Sequence, residues 1–443
     1  MGSVVSRRRL LKAGGSAALA AGIAPGIIIP GRAKAQQKTL RILKWAHPRA
    51  AYDEWFESYV KEWGESNETA VIVDKVGFAE VAGRAMAEAE SRQGHDLVML
   101  LMPGAAFEGH VIDHREIHEE CAHRYGTVVD FAERSTYNPV TKRYFGVSVG
   151  YQPTVTVYRK DLWQSVRMEP DSWANVLAGG RRIKLLNEKS VGFSLAPESN
   201  SEWTLRAVMY CFGSSEQSEN GEVALESKAT LETIKYVKAL YDEAMTKDVL
   251  TWDVPSNDRF MLNGEGCLTL DTVYFPRASE SMTLPIAGDF RLARVPEGPV
   301  ARLGPAWGLV TSFIWNFAEN IEGGKRFLVD YVGSSREALL ASGFQSLPSW
   351  PATVPDLASV VAADPVGGAS GKYALLADTA SWTTNIGHPG HTSAAVSEIF
   401  HRGLIPTMFA RAATGQLTPE EALAEAAGAS RQIFRKWQEK GKG

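Results

Sequence analysis

Three histidines recur at four-residue intervals, and imidazole nitrogens are common ligands of zinc and nickel. His110, His114 and His118 would share one face of a continuous helix, with several acidic residues around them. Imidazoles at i and i+4 chelate one ion as a pair, but a third at i+8 lies a further turn along the helix, beyond reach of the same metal. The spacing therefore favours a solvated helical face over a metal site, and we predict no bound metal.

Sequence patterns that carry enzyme chemistry are missing from this chain. There is no Gly-x-Ser-x-Gly elbow, His-Glu-x-x-His motif, Walker loop or Gly-x-Gly-x-x-Gly at a strand–helix junction. Cys121, Cys211 and Cys267 lack the spacing of an iron–sulfur site, and we interpret them as buried free thiols. Carboxylate pairs for glycoside hydrolysis depend on separation in space, so sequence does not exclude them. We expect a protein that is not an enzyme and has no cofactor.

The first 35 residues have the form of an export signal. Ser6-Arg7-Arg8-Arg9-Leu10-Leu11-Lys12 resembles a twin-arginine translocation motif, and the uncharged run 13–29 leads to Ala33-Lys34-Ala35. A run of about 17 residues that contains glycines and ends in small residues favours cleavage after Ala35 over a membrane anchor. We therefore expect the folded protein to be exported to a bacterial periplasm.

Length and charge restrict the mature chain further. The 443 residues exceed what one hydrophobic core usually serves, which favours two domains. Loss of the six basic residues of the leader would lower the formal net charge from −4 to −10. Such a surface does not favour nucleic acid or anionic lipid, and we expect a monomer that binds no nucleic acid.

Strand and helix patterns alternate at the start of the mature chain. Strands are predicted at 39–45, 70–76 and 96–101, with helices at 51–64 and 80–89 between them. This alternation predicts a layered α/β domain with a mostly parallel sheet and a ligand crevice beyond the strand ends. The further predicted strands are 144–149, 154–158, 267–271 and 306–313, and the further helices are 201–212, 227–245, 258–263, 323–332, 393–414 and 419–438.

The order of these elements and several short motifs resemble the extracellular solute-binding proteins of ABC importers, the family that includes maltose and other carbohydrate binders. The motifs are Asp96-Leu97-Val98 after Gly94, Tyr144-Phe145-Gly146-Val147, 157–163, Pro170-Asp171-Ser172-Trp173, 260–267, Trp307-Gly308-Leu309 and 413–423. Each motif is weak alone, but their order and spacing extend over nearly the whole mature chain.

The resemblance implies two α/β lobes joined by crossing strands, the type II periplasmic-binding-protein fold, each lobe being a mostly parallel sheet flanked by helices. Residues 1–35 would be the signal peptide, 36–149 plus 305–348 the N-terminal lobe, and 150–304 plus 349–443 the C-terminal lobe. The chain would cross from one lobe to the other near Gly150, near 296–305 and near 348–355. A solute would be bound as the lobes close and then presented to the transmembrane permease subunits.

Sugars have apolar C–H faces and a rim of hydroxyls, so their sites combine aromatic rings with polar side chains. Tyr274 stands where carbohydrate binders of this family often have Trp. For each aromatic residue, core packing is the alternative. The candidates at predicted strand ends and in nearby loops are Trp45, His47, Tyr151, Gln152, Trp203, Asp271, Tyr274, Trp307, Trp382 and Asn385.

The resemblance leaves the solute open. The first hypothesis is a sugar, oligosaccharide or polyol. A glycerophosphate-type solute would need cleft arginines, for which Arg206, Arg277 and Arg402 are candidates, and a polyamine would need acidic side chains. A secreted carbohydrate-active enzyme is the more distant alternative.

Overall fold

The computed structural model describes residues 38–367 and 370–441, and the predicted export signal lies outside these ranges. No helix in the described part of the chain is both long enough and apolar enough to cross a membrane. The strands are β1 Lys38–Trp45, β2 Thr69–Val76, β3 Leu97–Leu100, β4 Tyr137–Asn138, β5 Arg143–Tyr144, β6 Val147–Pro153, β7 Val155–Arg159, β8 Ser190–Val191, β9 Gly266–Asp271, β10 Phe290–Ala293, β11 Gly304–Ile314, β12 Leu347–Pro348 and β13 Thr383–Thr384.

Helices surround these strands along the whole described chain. They are α1 Ala50–Ser66, α2 Phe78–Ser91, α3 Arg115–Tyr125, α4 Asp130–Arg134, α5 Lys160–Ser165, α6 Trp173–Asn187, α7 Ser199–Cys211, α8 Lys228–Glu243, α9 Ser256–Leu262, α10 Tyr274–Ser281, α11 Ile321–Gly333, α12 Ser335–Ala341, α13 Leu357–Ala362, α14 Ala394–His401, α15 Leu404–Ala413 and α16 Pro419–Glu439. Short 3-10 helices lie at Ala105–His110, Lys247–Leu250, Pro285–Asp289, Pro351–Thr353 and Ala374–Ser381.

The first sheet contains the N-terminal strands in the order β12-β6-β11-β3-β1-β2, and β13 pairs with the start of β11. The pairs β1–β2 and β1–β3 are parallel, as the strand–helix alternation predicts. The pairs β3–β11, β11–β6 and β6–β12 are antiparallel. The prediction of a mostly parallel sheet therefore holds for β1, β2 and β3 but not for the part β3-β11-β6-β12, where β11 returns from the second sheet and runs opposite to β3 and β6.

The second sheet, in the order β10-β7-β9-β8, is packed on α5, α6, α7 and α9. Its pairs β10–β7 and β7–β9 are antiparallel and β8–β9 is parallel, so here too the mostly parallel prediction is wrong. Each sheet has its own hydrophobic core, and a third cluster of buried apolar residues joins them. The three cysteines are buried free thiols, as predicted.

The chain passes twice between strands of the two sheets, and hydrogen bonds join the residues at these passages. The first passage is Thr154, between β6 and β7, and the second is 294–303, between β10 and β11. The Thr154 hydroxyl donates to the Pro305 carbonyl at 2.6 Å. The indole Nε1–H of Trp382 donates to the Thr154 carbonyl at 3.3 Å, and the Gly304 N–H donates to the Trp382 carbonyl at 2.9 Å. One connected set of hydrogen bonds therefore ties the first passage to the start of β11 and to Trp382.

The predicted helix over 393–414 is interrupted in the structure. Helix α14 ends at His401 and α15 begins at Leu404, with Gly403 between them at φ 64°. Glycine adopts this left-handed conformation without the steric penalty that a side chain incurs. A Cβ at this position would also lie 3.2 Å from the Pro197 Cβ. The apolar pattern continues through the break, which is why it predicts one helix.

The histidine segment is not a solvated helical face, so that prediction is wrong. His110 ends a 3-10 helix, whereas α3 begins only at Arg115. His114 is fully buried; its Nδ1 lies 3.1 Å from the Tyr144 carbonyl, and its Nε2 accepts the Ile314 N–H at 2.9 Å. The His118 Nε2 lies 3.1 Å from the Gly146 carbonyl. Burial lowers the pKa of His114 to about 3 and that of His118 to about 4, so both imidazoles are neutral at pH 7.

We expect His114→Ala to lower the free energy of unfolding by about 2–4 kcal/mol, because it opens a cavity and leaves the Ile314 N–H without its acceptor. Urea denaturation measures this change. His123 is exposed on the same helix, and His123→Ala should stay within about 0.5 kcal/mol of the unmodified protein. Equal effects of the two substitutions would contradict the structural role of His114.

A buried ion pair ties α2 to the first sheet. The His95 Nδ1 lies 2.6 Å from Glu88 Oε1, and its Nε2 lies 3.1 Å from Asp74 Oδ2. Burial alone would lower the pKa of His95, but the hydrogen bonds and charges of Glu88 and Asp74 outweigh it and raise that pKa. Burial alone would raise the pKa of Glu88, and the His95 contacts lower it. Both groups are therefore charged together in a window around mildly acidic pH.

Glu88→Gln should lower the free energy of unfolding by about 1–3 kcal/mol near pH 6. The raised pKa of His95 makes its contribution complete below its ordinary value of 6.5, and the contribution is lost as pH rises through the folded-state value. The loss caused by Glu88→Gln should therefore shrink towards about pH 9. Denaturation series at several pH values measure it, with the exposed Glu90→Gln on the same helix as control. A pH-independent difference would contradict the ionic interpretation.

Candidate functional site

A cleft of about 300 Å³ lies between the two sheets, and residues from both sides line it. This volume is at the lower end of the roughly 300–1,000 Å³ that is typical of small-molecule sites. From the first sheet and its loops come Ala46, Pro48, Phe78, Leu101, Gln152, Trp307, Gly308 and Gln345. From the second sheet and its helices come Asn200, Trp203, Val254, Pro255, Asp258, Asp271, Thr272 and Tyr274.

Two tryptophans from opposite sides meet in this cleft. Trp203 lies on α7 and Trp307 on β11, and their rings stack with centroids 5.4 Å apart at an angle of 19°. Only 2% of Trp203 and 7% of Trp307 is exposed, so each ring covers much of the other. Neither indole N–H hydrogen-bonds to another described residue, although both residues line the cleft. The pair thus offers aromatic surface and two free donors.

Two glutamines on the first-sheet side are buried without side-chain partners. Gln152 is 7% exposed and Gln345 is 2% exposed, and both line the cleft. Their amides make no hydrogen bond to the rest of the described chain. Gly308 permits this arrangement, because a Cβ there would lie 2.9 Å from Leu101 Cδ2 and 3.4 Å from Gln152 Cδ. Both amides line the cleft, so the polar groups of a solute can hydrogen-bond to them.

Two aspartates face the cleft from the second-sheet side. Asp271, at the end of β9, accepts hydrogen bonds from the Asn257 amide and the Thr272 N–H. Burial, followed by the charge of Asp271, raises the pKa of Asp258 well above its ordinary range, and burial also raises the pKa of Asp271. The two carboxyl groups hydrogen-bond to each other, so ionisation of one disfavours ionisation of the other.

The predicted candidates divide into two groups. Gln152, Trp203, Asp271, Tyr274 and Trp307 line the cleft together. The other candidates, Trp45, His47, Tyr151, Trp382 and Asn385, are buried outside it.

Trp45 and His47 face away from the cleft, whereas their neighbours Ala46 and Pro48 line it. The His47 ring stacks on Tyr52 with centroids 4.3 Å apart and lies 5.0 Å from the Trp45 ring. Burial, followed by the charge of Lys44, lowers the pKa of His47 to about 3. Successive residues of an extended segment point to opposite sides, so a residue next to a predicted one can occupy the site.

Tyr151, Trp382 and Asn385 hold the structure beside the cleft. The Tyr151 hydroxyl lies 2.9 Å from Thr379 Oγ1, and the Trp382 indole N–H donates to the Thr154 carbonyl. The Asn385 Nδ2 donates to the Gly390 carbonyl at 2.8 Å, while its Oδ1 has no partner within the described residues. Asn385 lines a separate cavity of about 20 Å³ that shares Leu101 and Trp203 with the cleft. That volume accommodates one water molecule.

Sequence reasoning missed several residues that line the cleft. Asn200 carried a signal, because it lies in a polar loop directly before a predicted helix, and its amide donates to the Val254 carbonyl at 2.6 Å. Asp258 carried a weaker one, as an acidic residue in the first turn of a predicted helix. For Phe78 and Gln345 the sequence contains no signal of a place in the site, since only the tertiary fold brings them to the cleft.

The arginines proposed for anion binding lie elsewhere. Arg206 is fully buried and forms salt bridges with Glu202 and Glu216. Arg277 forms a bidentate salt bridge with Asp364, with N–O distances of 2.6 and 3.0 Å. Arg402 is exposed and pairs with Glu398 at 2.6 Å. Among the described residues that line the cleft there is no lysine, arginine or histidine. The charged side chains among the described residues of the cleft are therefore acidic rather than basic.

No family model matches the chain. No curated protein matches its sequence either. Solved structures do match: maltose-bound MalE3 of T. maritima has a TM-score of 0.73 at 17% identity, with 89% of this chain and 99% of that chain covered. A sugar transporter of Arthrobacter chlorophenolicus with bound laminaribiose has a TM-score of 0.74 at 14% identity, with 89% of this chain and 99% of that chain covered. An ABC transporter solute-binding protein of Agrobacterium radiobacter in complex with ribitol has a TM-score of 0.71 at 16% identity, with 90% of this chain and 99% of that chain covered. The chain thus has the two-lobed α/β fold of these solute-binding proteins, as predicted.

Proposed function

We propose that this protein is the solute-binding component of an ABC importer that captures a sugar, oligosaccharide or polyol between its two lobes and presents it to a membrane permease. The observation that carries this proposal is the cleft itself. Aromatic rings and unpartnered buried amides line it, and they come from both sheets. A solute that contacts both sides stabilises the closed arrangement, which is what a permease must distinguish from the empty protein.

The cleft residues suit a hydroxylated solute. Trp203, Trp307 and Tyr274 supply ring surface for the C–H faces of a sugar or polyol. Gln152 and Gln345 can donate to and accept from hydroxyls, and both amides are unpartnered within the described chain. The solved structures of this fold named above hold maltose, laminaribiose and ribitol, which supports the same class here.

Two alternatives lose support. A phosphate-bearing solute would need cationic side chains, and the described cleft lining contains none. Glycosidases hold their two carboxyl groups about 5 Å or more apart to accommodate the reaction. Asp258 and Asp271 instead hydrogen-bond to each other directly. We therefore infer binding without catalysis.

We also propose the location and the lobe division that the sequence predicts. Export by the twin-arginine route would place a monomeric binder in the periplasm beside its permease, although the signal lies outside the described residues. The two lobes would be 36–149 plus 305–348 and 150–304 plus 349–443. The strand ends Pro153, Gly304 and Pro348 are where we propose that the chain leaves or enters the first lobe.

Trp307→Ala should weaken binding of the solute at least about tenfold, because it removes ring surface and an N–H donor from the cleft. The solute is first found by thermal-shift screening of ligand-stripped protein with maltose, laminaribiose, tagatose and ribitol, since binding to the folded state raises the melting temperature. Isothermal titration calorimetry then measures the affinities of both proteins.

Trp55→Ala is the matched control, because Trp55 lies on α1 against Tyr59 and Tyr331 and does not line the cleft. It should leave the affinity within about twofold. Unchanged affinity in folded Trp307→Ala would remove this residue from the site. The absence of any shift with neutral sugars and polyols would contradict the carbohydrate assignment.

A further inference from the structure

The cleft has an uneven distribution of charge. Asp258 and Asp271 line its second-sheet side, while the first-sheet side supplies only neutral groups. Within the described lining there is no cationic side chain to neutralise the two carboxyl groups. A carboxyl group in a buried position is stabilised only by hydrogen bonds or by an opposite charge. The protein supplies hydrogen bonds to one member of this pair and leaves the other poorly satisfied.

The two aspartates differ in their surroundings. Asp271 is 6% exposed and accepts from the Asn257 amide and the Thr272 N–H. The Asp258 Oδ1 is buried and receives no hydrogen bond from any described residue. The nearest guanidinium on its own helix, that of Arg259, is directed to Asp253 at 2.6 Å instead. Apart from its contact with Asp271, the Asp258 carboxyl group therefore has no donor from the described chain.

Building on the proposed solute-binding function, we propose that the solute carries a protonated amine beside its hydroxyl groups, as in an amino sugar or an amino polyol, and that the ammonium group binds Asp258. The ammonium group supplies up to three N–H donors and a positive charge, which are the two things that the aspartate pair lacks. The buried amides of Gln152 and Gln345 would bind the hydroxyl groups from the opposite side.

The aromatic lining fits this class of solute as well. Phe78, Trp203, Tyr274 and Trp307 line the cleft with the two aspartates. An ammonium group near a ring face gains a cation–π attraction, and the C–H groups of the same solute pack on the rings. A polyamine would use the carboxyl groups and the rings but would leave both glutamine amides unpaired. The unpartnered glutamines therefore favour a hydroxylated amine over a plain polyamine.

The test compares matched pairs of solutes that differ only in the amine. We would use glucosamine with glucose, galactosamine with galactose, and glucamine with sorbitol, each with putrescine as a separate arm. Thermal-shift screening and calorimetry at neutral pH should show the amine of at least one pair binding about tenfold or more tightly than its neutral partner. N-acetylglucosamine, which keeps the nitrogen but not the charge, should lose that advantage.

Asp258→Asn should remove the preference, because the amide keeps the shape of the side chain but puts an N–H₂ donor in place of a carboxyl oxygen that would accept from the ammonium group. We expect the affinity for the preferred amine to fall at least about tenfold, while that for the neutral partner stays within about threefold. Glu265→Gln is the control, since Glu265 is exposed, directly precedes β9 and does not line the cleft. If Asp258→Asn does not fold, the comparison of paired solutes on the unmodified protein still tests whether the solute carries an amine.

The outcomes separate this inference from the function on which it rests. Equal or tighter binding of the neutral partners would contradict the proposal that the solute carries an amine, but it would agree with the proposed sugar-binding function. Binding of putrescine without any amino sugar or amino polyol would overturn the hydroxylated solute. No binding by any member of the panel would count against both.

Discussion

The hydrogen bonds among Thr154, Pro305 and Trp382 fix how the two sheets face each other. They join the passage at Thr154 to the start of β11 and to Trp382, so the sheets cannot separate there without breaking them. Gln152 lies just before the first passage and Trp307 just after the second, so the cleft begins where this connection ends. Its fixed edge makes relative motion of the lobes a bend about a defined line rather than free separation.

The fold was predictable where local pattern and tertiary environment agree. The alternation from β1 to β3 follows from apolar periodicity, and the capping box at Thr418 and Glu421 places the start of α16. Strand direction was not predictable from the same pattern, because β11 looks like any buried strand and becomes antiparallel only through its return from the second sheet. Gly403 shows the other limit, since a single left-handed residue breaks an apolar stripe that continues on both sides.

The sequence indicates which segments lie near the cleft, but not which side chain of each segment lines it. The predicted strand ends lie beside the cleft, yet Trp45 and His47 pack inward while Ala46 and Pro48 face it. Composition favours an aromatic residue as the contact, but the alternation of an extended segment decides which neighbour is exposed. The pairing of Asp258 with Asp271 depends on how α9 packs beside β9, which no spacing in the sequence specifies.

The central place of β11 in the first sheet determines when that sheet can be finished. β11 lies between β3 and β6, so strands that are far earlier in the sequence are joined only through residues 304–314. A ribosome must therefore synthesise most of the protein before the first sheet has its middle strand. Until then β3 and β6 each present an unpaired edge. Cellular machinery that meets the growing chain at that stage meets an incomplete first sheet, although all four strands of the second sheet have been synthesised by Ala293.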